Sequence, residues 1–300
     1  MISNRITLKQ LEAFVSVADT GSFRKAAAVL GTTQPNISVR IAALENTLDL
    51  ALLHRDPGSV RVSKRGQEVL AAARQVLRAT ENVLSAASRH ELIEDRLRLG
   101  VTELIAATWL HRFLRAFKDT YPNVQVELTV DLAQQIEDQL VAGDLDLAVL
   151  NGPDAGDADD TLALETCAYG WFAAPAIASG FAKAPSLSDL LEVGILSHGT
   201  DTQASVLLRQ ELKSLGLGTG QVAHCSSLTA ALRMAVDGMG AALLPRPLVQ
   251  DSLRTGGLID IACAWLPPPL RFSARYDQSR APLFVTNGAA LAAVVSQEAQ

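Results

Sequence analysis

Polar side chains that can contact nucleic acid are concentrated between residues 34 and 40. Their amide, hydroxyl and guanidinium groups bond to base edges and phosphate oxygens, and the small residues among them permit close approach. The outward-facing set comprises Gln34, Asn36, Ser38, Val39, Arg40 and Ala43. Four apolar residues recur at spacings of four, three and four, namely Ile37, Ile41, Leu44 and Leu48. The spacing predicts a helix with an apolar inner face and a polar outer face.

A shorter helix is predicted immediately before this one. Ser22 is its predicted N-cap, and Gly31 lies where a residue with positive φ would end it. Thr33 is predicted to cap the following helix, which has Pro35 in its first turn. Two such helices form a helix-turn-helix, a motif that places one helix in the DNA major groove but also occurs in ordinary α-helical bundles.

The residues after this motif predict a basic hairpin. Residues 50–64 suggest two short strands around a turn at Asp56, Pro57 and Gly58, with Arg61 next to alternating valines. Residues 1–65 contain nine basic and five acidic residues, whereas the whole chain has a net charge of −6. We therefore expect only the N-terminal segment to attract a polyanion.

A long amphipathic helix is predicted over residues 66–94. After Gly66 this segment has no proline or glycine, and Leu70, Leu77 and Leu84 recur every seven residues. We expect the apolar stripe to be too long for the small N-terminal domain to bury, so that it pairs with a second copy of the chain. The alternative is a helix that lies on its own chain.

Strands alternate with helices from Arg96 onwards, which is typical of α/β folds with parallel strands. Strands are predicted at 97–101, 124–130 and 145–150, with helices at 104–121 and 133–141. A similar series of strands and helices follows between residues 194 and 244. The chain is then expected to return to the first lobe with a strand at 270–276 and a helix near 289–296. The pattern predicts two lobes, about 96–165 with 267–300 and about 166–266, around a cleft.

Polar residues at the predicted strand ends are candidates for binding a small molecule in this cleft. Thr102 and Glu103 follow the first strand, where free backbone N–H groups and the Thr102 hydroxyl could hold an anionic or polar group. Glu103 would oppose a carboxylate unless its side chain turns away, and it can also be interpreted as a favourable charge in a first helical turn. The second lobe contributes Ser197, His198, Thr200, Thr202, Ser226 and Ser227. These residues are interpreted as cleft-lining groups or as simple helix caps.

Several other classes of function are disfavoured. No apolar run approaches a membrane span and the first ten residues lack a signal-peptide segment, so a cytoplasmic protein is expected. Three separated cysteines next to apolar residues predict reduced core thiols, and the histidines show no metal-ligand spacing, so we expect no metal and no cofactor. Motifs of the G-x-S-x-G, P-loop and H-E-x-x-H types are absent. An α/β enzyme, or a small-molecule sensor with an N-terminal module that does not bind DNA, remains the alternative.

Four motifs together make the chain resemble a LysR-type transcriptional regulator over essentially its full length. They are LKQLEAFVSVADTGSFRKAAAVLGTTQPNISVRIAALE at 8–45, LRLGVTELIAATWLHRFLRAFKDTYPNVQVEL at 97–128, GDLDLAVL at 143–150 and SSLTAALRMAVDGMGAALLPRPL at 226–248. The resemblance implies an α+β winged helix-turn-helix domain (1–65), a dimerisation helix (66–95) and a two-lobed, periplasmic-binding-protein-like α/β effector domain (96–300). It implies a homodimer or homotetramer that binds double-stranded DNA and a small-molecule effector, with RNA polymerase as a candidate partner.

The resemblance also assigns residues to the DNA interface. It implies that Thr33, Gln34, Pro35 and Ser38 face DNA. The family often has an arginine after the serine, whereas this chain has Val39 there and Arg40 next to it. We therefore include Arg40 among the DNA-binding residues, and we expect Arg55 and Arg61 of the hairpin to contact phosphates.

Overall fold

A computed structural model describes residues 6–56, 59–87, 89–152, 161–181 and 183–298. The chain forms two compact units. Unit 1 contains the described part of residues 1–95 with the short segments 121–123 and 277–286, and unit 2 contains the described part of the remainder. The two short segments belong to the region in which the sequence predicts only the C-terminal domain.

Unit 1 begins with three helices, a hairpin and a long helix. These elements are α1 (Leu8–Thr20), α2 (Phe23–Val29), α3 (Gln34–Leu48), β1 (Leu53–Asp56), β2 (Ser59–Val62) and α4 (Lys64–Ala86). The three helices enclose a core of fully buried side chains that includes Phe14, Val17, Ile37, Ile41 and Leu44. The predicted inner face of the second helix is therefore confirmed for its first three apolar residues, while Leu48 is partly buried.

Local signals set the ends of these helices. The Ser22 side chain accepts a hydrogen bond from the backbone N–H of Lys25, so Ser22 is the N-cap of α2 as predicted. Gly31 adopts a φ of 57°, in the left-handed region that favours glycine. Of the predicted hairpin turn, Pro57 and Gly58 lie outside the described residues, and Asp56 ends β1.

The helix α4 differs from its prediction in length and in packing. It ends at Ala86 rather than near residue 94, and a turn of 3₁₀-helix follows at His90–Leu92. Leu70 and Ala73 are buried in the core of the N-terminal helices, with Leu77 packed against it. The expectation that the small domain cannot cover the stripe is therefore wrong for the first half of α4, because α1 packs along it.

Unit 2 alternates strands with helices, although its last helix, Leu283–Gln297, begins in unit 1. Its elements in chain order are β3 (Asp95–Val101), α5 (Glu103–Ala107), α6 (Leu110–Thr120), β4 (Val124–Val130), α7 (Ala133–Ala142), β5 (Leu147–Asn151), β6 (Thr161–Ala163), β7 (Tyr169–Ala173), α8 (Pro175–Ala178), α9 (Leu187–Glu192), β8 (Ile195–His198), α10 (Gln203–Ser214), β9 (Val222–Cys225), α11 (Leu228–Val236), β10 (Ala241–Pro245), α12 (Arg246–Arg254), β11 (Ile259–Ile261), β12 (Phe272–Arg275) and α13 (Leu283–Gln297).

The strands form two five-stranded sheets, one in each lobe. The order is β4-β3-β5-β12-β6 in the first lobe and β11-β7-β10-β8-β9 in the second. Both sheets are mixed, because β12 runs antiparallel to β5 and β6, and β7 runs antiparallel to β10 and β11. The expectation of parallel strands is confirmed for β3 with β5 and for β8 with β9 and β10. It is wrong for β12, which runs antiparallel to β5. The chain crosses from the first sheet to the second between β6 and β7, and it crosses back between β11 and β12. Each of these four strands is antiparallel to the strands beside it.

One predicted helix is interrupted. The segment 104–121 forms two helices, because α5 ends at Ala107 and α6 begins at Leu110. At the break the Thr108 hydroxyl donates to the Leu104 carbonyl at 2.6 Å. A side-chain hydroxyl that bonds to the backbone in this way competes with regular helical hydrogen bonding.

Candidate functional site

The start of α3 presents exposed groups that can bind an anion. Gln34, Pro35 and Asn36 are exposed, as is Val39, with 68% of its surface accessible. Thr33 is at the N-cap position, but its side chain makes no capping hydrogen bond. The first turn of α3 has no acidic residue, so the partial positive charge of the helix start is not neutralised there. The hydroxyl and backbone N–H groups at this end are therefore available to a phosphate.

Ser38 and Arg40 are partly buried on the same helix, next to the fully buried Ile37 and Ile41. The structure thus brings Thr33, Gln34, Pro35, Ser38 and Arg40 together on one helix whose opposite face is fixed in the core. Their role as DNA contacts stays a prediction.

The two hairpin arginines occupy different faces of the β1–β2 ribbon. Arg61 pairs with His54, and position 55 pairs with Val60, in an antiparallel register. Successive residues of a strand alternate between faces, so Arg61 and His54 share one face, while position 55 shares the other with Leu53 and Val60. Arg61 and His54 are exposed, whereas the side chain of Arg55 lies outside what the structure describes.

Glu45 joins the hairpin to α3. Its Oε1 atom accepts hydrogen bonds from the backbone N–H groups of Leu52 at 2.8 Å and Leu53 at 3.3 Å. Glu45 is not among the residues predicted to have a functional role. Its position next to the inward-facing Leu44 could have indicated this role, because a carboxylate at the edge of a core can accept hydrogen bonds from free N–H groups nearby.

In unit 2 the Glu103 carboxylate from the first lobe binds the start of α11 in the second lobe. Oε2 accepts from the backbone N–H of Leu228 at 2.8 Å. Oε1 accepts from the Ser227 hydroxyl at 2.8 Å, from the Thr229 hydroxyl at 3.1 Å and from the Thr229 N–H at 3.2 Å. The His198 Nε2 atom lies 4.0 Å from Oε2. Glu103 is therefore in the first turn of α5, but its carboxylate is bound to a different helix.

Hydrogen bonding outweighs burial in setting the acidity of this carboxylate. Burial acts to raise the pKa of Glu103, and the bonds from Leu228, Ser227 and Thr229 lower it by more, so that the pKa lies below its ordinary value of 4.5. Glu103 is thus held in its ionised form.

Two of the predicted second-lobe residues have structural roles. The buried Ser197 hydroxyl bonds to the Ser205 hydroxyl at 2.7 Å. The Thr202 side chain caps α10 by accepting from the Ser205 N–H, and its hydroxyl donates to the His198 carbonyl at 2.8 Å. The capping interpretation therefore applies to Thr202.

The other predicted residues of the cleft lie near Glu103 or at the ends of loops. Ser227 caps α11, since its hydroxyl accepts from the Ala230 N–H at 3.2 Å. The Ser226 carbonyl lies 3.3 Å from His198 Nε2, and the Thr200 carbonyl accepts from Arg209 at 2.7 Å. Thr102 is buried, and its hydroxyl has no hydrogen-bond partner within the described part of the chain.

Two further groups of unit 2, Arg246 and Cys167, have roles in packing. Arg246 pairs with Asp260 at 2.5 Å and lies over the Phe172 ring, which is a structural arrangement. Burial raises the pKa of the Cys167 thiol to about 12, so it is not a nucleophile at neutral pH. A small cavity of about 30 Å³ beside Cys167 is large enough for about one water molecule, and none of the eight predicted cleft residues lines it.

Within the described ranges, no group of histidine, cysteine and carboxylate residues is arranged to hold a metal ion. The same residues include no helix that is both long enough and apolar enough to span a membrane.

Two family models match this chain. The model for the bacterial regulatory helix-turn-helix protein of the lysR family matches residues 8–67, and the model for the LysR substrate binding domain matches residues 90–287. Among curated proteins, the HTH-type transcriptional regulator CbbR of Cereibacter sphaeroides is 32% identical over 270 residues, covering 87% of this chain and 86% of that protein.

Solved structures show the same fold. A mutant of OxyR from Corynebacterium glutamicum is 24% identical, with a TM-score of 0.58 over 99% of this chain and 94% of that one. Full-length CbnR in complex with its target DNA is 19% identical, with a TM-score of 0.53 over 97% of this chain and 100% of that one.

Proposed function

Because the chain belongs to the LysR family of transcriptional regulators, we propose that α3 and the β1–β2 hairpin bind DNA and that the cleft of unit 2 binds a small polar metabolite. The observation that carries the DNA-binding part is the start of α3. There an exposed helix end carries neither an acidic residue nor a side-chain cap, while the inner face is fully buried. Such an end binds phosphate, and the side chains behind it can then contact base edges.

The proposed DNA contacts are Thr33, Gln34, Pro35, Ser38, Arg40, Arg55 and Arg61. Val39 is exposed among them and offers only an apolar contact, for which the methyl group of thymine is a suitable partner. Phosphate contacts by Arg61 fix position and contribute affinity, whereas contacts from α3 discriminate between sequences.

The metabolite is proposed to act by shifting an equilibrium between two arrangements of the lobes. Sheets built from different chain segments, joined by two crossings, allow the lobes to change their relative setting. A ligand that binds one arrangement better would change the spacing of the DNA-binding ends in a homodimer or homotetramer. We propose that this regulator acts in the cytoplasm, where it reaches the chromosome, and that it is not an enzyme.

The enzyme alternative has little support in the residues of the cleft. The Glu103 carboxylate, which would be a candidate acid or base, is held ionised by donors from α11. Sustained turnover of a small-molecule substrate by the purified protein would favour that alternative over the proposal.

The DNA-binding part is tested by selection from fragmented genomic DNA of the source organism with the full-length protein at fixed salt. We expect the wild type to enrich a two-fold symmetric site, and the double variant Ser38→Ala/Arg61→Ala to lose that enrichment. The control is Ser179→Ala/Lys213→Ala, which removes one hydroxyl and one positive charge from exposed positions of unit 2. Equal enrichment by the wild type and the Ser38→Ala/Arg61→Ala variant would contradict the assignment of α3 and the hairpin.

A further inference from the structure

The start of α11 is an anion-binding position that the chain itself occupies. The helix has nine residues, Leu228–Val236, and its first N–H groups have no partner within the helix. Those of Leu228 and Thr229 donate to Glu103, and that of Ala230 donates to the Ser227 hydroxyl. All three donors are therefore used, and none is left for an anionic ligand.

The Glu103 carboxylate is bound as an external anion would be. It accepts four hydrogen bonds, two from backbone N–H groups and two from hydroxyls, and it faces the positive end of the α11 dipole. The side chain retains only 29% of its accessible surface. Since Glu103 belongs to the first lobe and α11 to the second, the same four bonds also join the lobes.

We propose that Glu103 is a specificity-determining residue that serves as a built-in anion for the cleft. It fills the carboxylate position at the start of α11, so the cleft of this protein accepts effectors that direct a neutral polar or cationic group, and no anionic group, toward that helix. Removal of the side chain leaves the donors unpaired and creates a site for a free carboxylate. The inference rests on the proposed function only in taking the interlobe cleft as the effector site.

Unfolding of unit 2 can be followed on its own in the full-length protein. All three tryptophans of the chain, Trp109, Trp171 and Trp265, belong to this unit. The test is thermal unfolding monitored by tryptophan fluorescence at pH 7, with sodium acetate replacing sodium chloride at constant ionic strength. The proteins are the wild type, Glu103→Ala, Glu103→Gln and the control Glu192→Ala, which removes an exposed carboxylate at the end of α9.

We expect Glu103→Ala to lower the midpoint temperature of unfolding by about 4 °C or more, because several charge-assisted hydrogen bonds are lost. Acetate should then recover at least half of that loss in a saturable way, since a ligand that binds only the folded state stabilises it. The wild type and Glu192→Ala should respond to acetate no more than to chloride. Glu103→Gln should lose less than Glu103→Ala and should gain nothing from acetate, because its amide still fills the position.

Three results would overturn the proposal. They are an unchanged midpoint in Glu103→Ala, a loss that acetate does not reverse, or an equal response to acetate in all four proteins. None of these measurements involves DNA, so a failure of the proposed DNA binding would leave this test unaffected. A failure of this test would equally leave the proposed DNA binding unaffected.

Discussion

Glu81 on α4 is a partly buried carboxylate whose titration affects stability. Its Oε2 atom accepts a hydrogen bond from the Leu283 N–H at 2.6 Å. Burial raises the pKa of Glu81, and this effect together with the negative charge of Asp95 exceeds the lowering by the Leu283 bond and by Arg78. The folded pKa therefore lies above the ordinary value of 4.5, so the folded state binds more protons here than the unfolded state. The free energy of unfolding falls as the pH rises through the folded pKa.

We expect Glu81→Gln to remove this loss of stability. The amide oxygen can still accept a hydrogen bond from the Leu283 N–H, and the partly buried negative charge is removed. The variant should have a higher midpoint of urea unfolding than the wild type at pH 7, and a flatter dependence on pH above about 4.5. Far-UV circular dichroism measures the unfolding, with Glu68→Gln on the exposed face of α4 as the control. A wild-type slope retained in Glu81→Gln would contradict the account.

Residues whose roles depend on their immediate neighbours could be predicted from the sequence. Ser22 and Gly31 act within a few positions of themselves, and local residue types decide their conformation. The partner of Glu103 could not be predicted, because it lies more than 120 residues away and is brought close only by packing of the two lobes. The sequence did identify the conflict between Glu103 and a ligand carboxylate, and the structure provides a physical explanation for it.

Gly66 lies in the first turn of α4, where it allows the helix to approach the hairpin. A Cβ atom at this position would lie 2.3 Å from the Leu52 carbonyl oxygen and 2.9 Å from a methyl carbon of Val62. Helix propensity alone predicts that alanine would be more stable than glycine here by about 1 kcal/mol. The backbone contact reverses this expectation.

We expect Gly66→Ala to destabilise unit 1 by about 1–3 kcal/mol, because the Leu52 carbonyl is a backbone group directly before β1 and cannot shift without moving that strand. Urea unfolding followed by far-UV circular dichroism measures the change. The control is Gly218→Ala, where the added Cβ would meet no atom within 4 Å and stability should stay within about 0.5 kcal/mol. A more stable Gly66→Ala variant would show that helix propensity dominates at this position.

The exposed side of α4 is the proposed dimer surface. Val76 and Val83 are seven residues apart, with 45% and 67% of their surfaces accessible, and they form an apolar strip on the helix. A carboxylate placed on such a strip would have to be desolvated when a second copy binds.

We therefore expect Val83→Asp to shift the protein toward the monomer at micromolar concentration, as measured by sedimentation velocity. Val141→Asp on α7, where the valine is 79% exposed, is the matched control and should keep the wild-type mass. A dimer of unchanged stability in Val83→Asp, or a wild type that is already monomeric, would contradict this assignment.

Elements with a clear apolar period were predicted best. The strand Val124–Val130 matches its prediction in full, and α7 differs from its prediction by one residue. The end of α4 was placed too late, since neither proline nor glycine marks it in the sequence. The strand Tyr169–Ala173 was missed because it is buried throughout and so lacks alternation.

At the scale of the whole molecule, the two lobes follow from the order of the sheets. The crossing segments pair with each other where Cys167 and Leu270 exchange backbone hydrogen bonds, each at 2.8 Å. The antiparallel direction of β12 and β7 could not be predicted, because the periodicity of a strand does not say from which end of the sheet the strand enters. The alternation of strands and helices did predict two α/β lobes, and the resemblance implied their arrangement as an effector domain.

The measurement that tests the account most directly is the affinity of the full-length protein for its selected DNA site and for a scrambled duplex of the same composition. At about 150 mM salt, we expect the selected site to bind at least about 10³-fold more tightly. Arg61→Ala should weaken both complexes and reduce the salt slope by about 1, while Ser38→Ala should reduce the ratio between them. Equal affinity of the wild type for the two duplexes would contradict the central claim that this chain is a sequence-specific regulator.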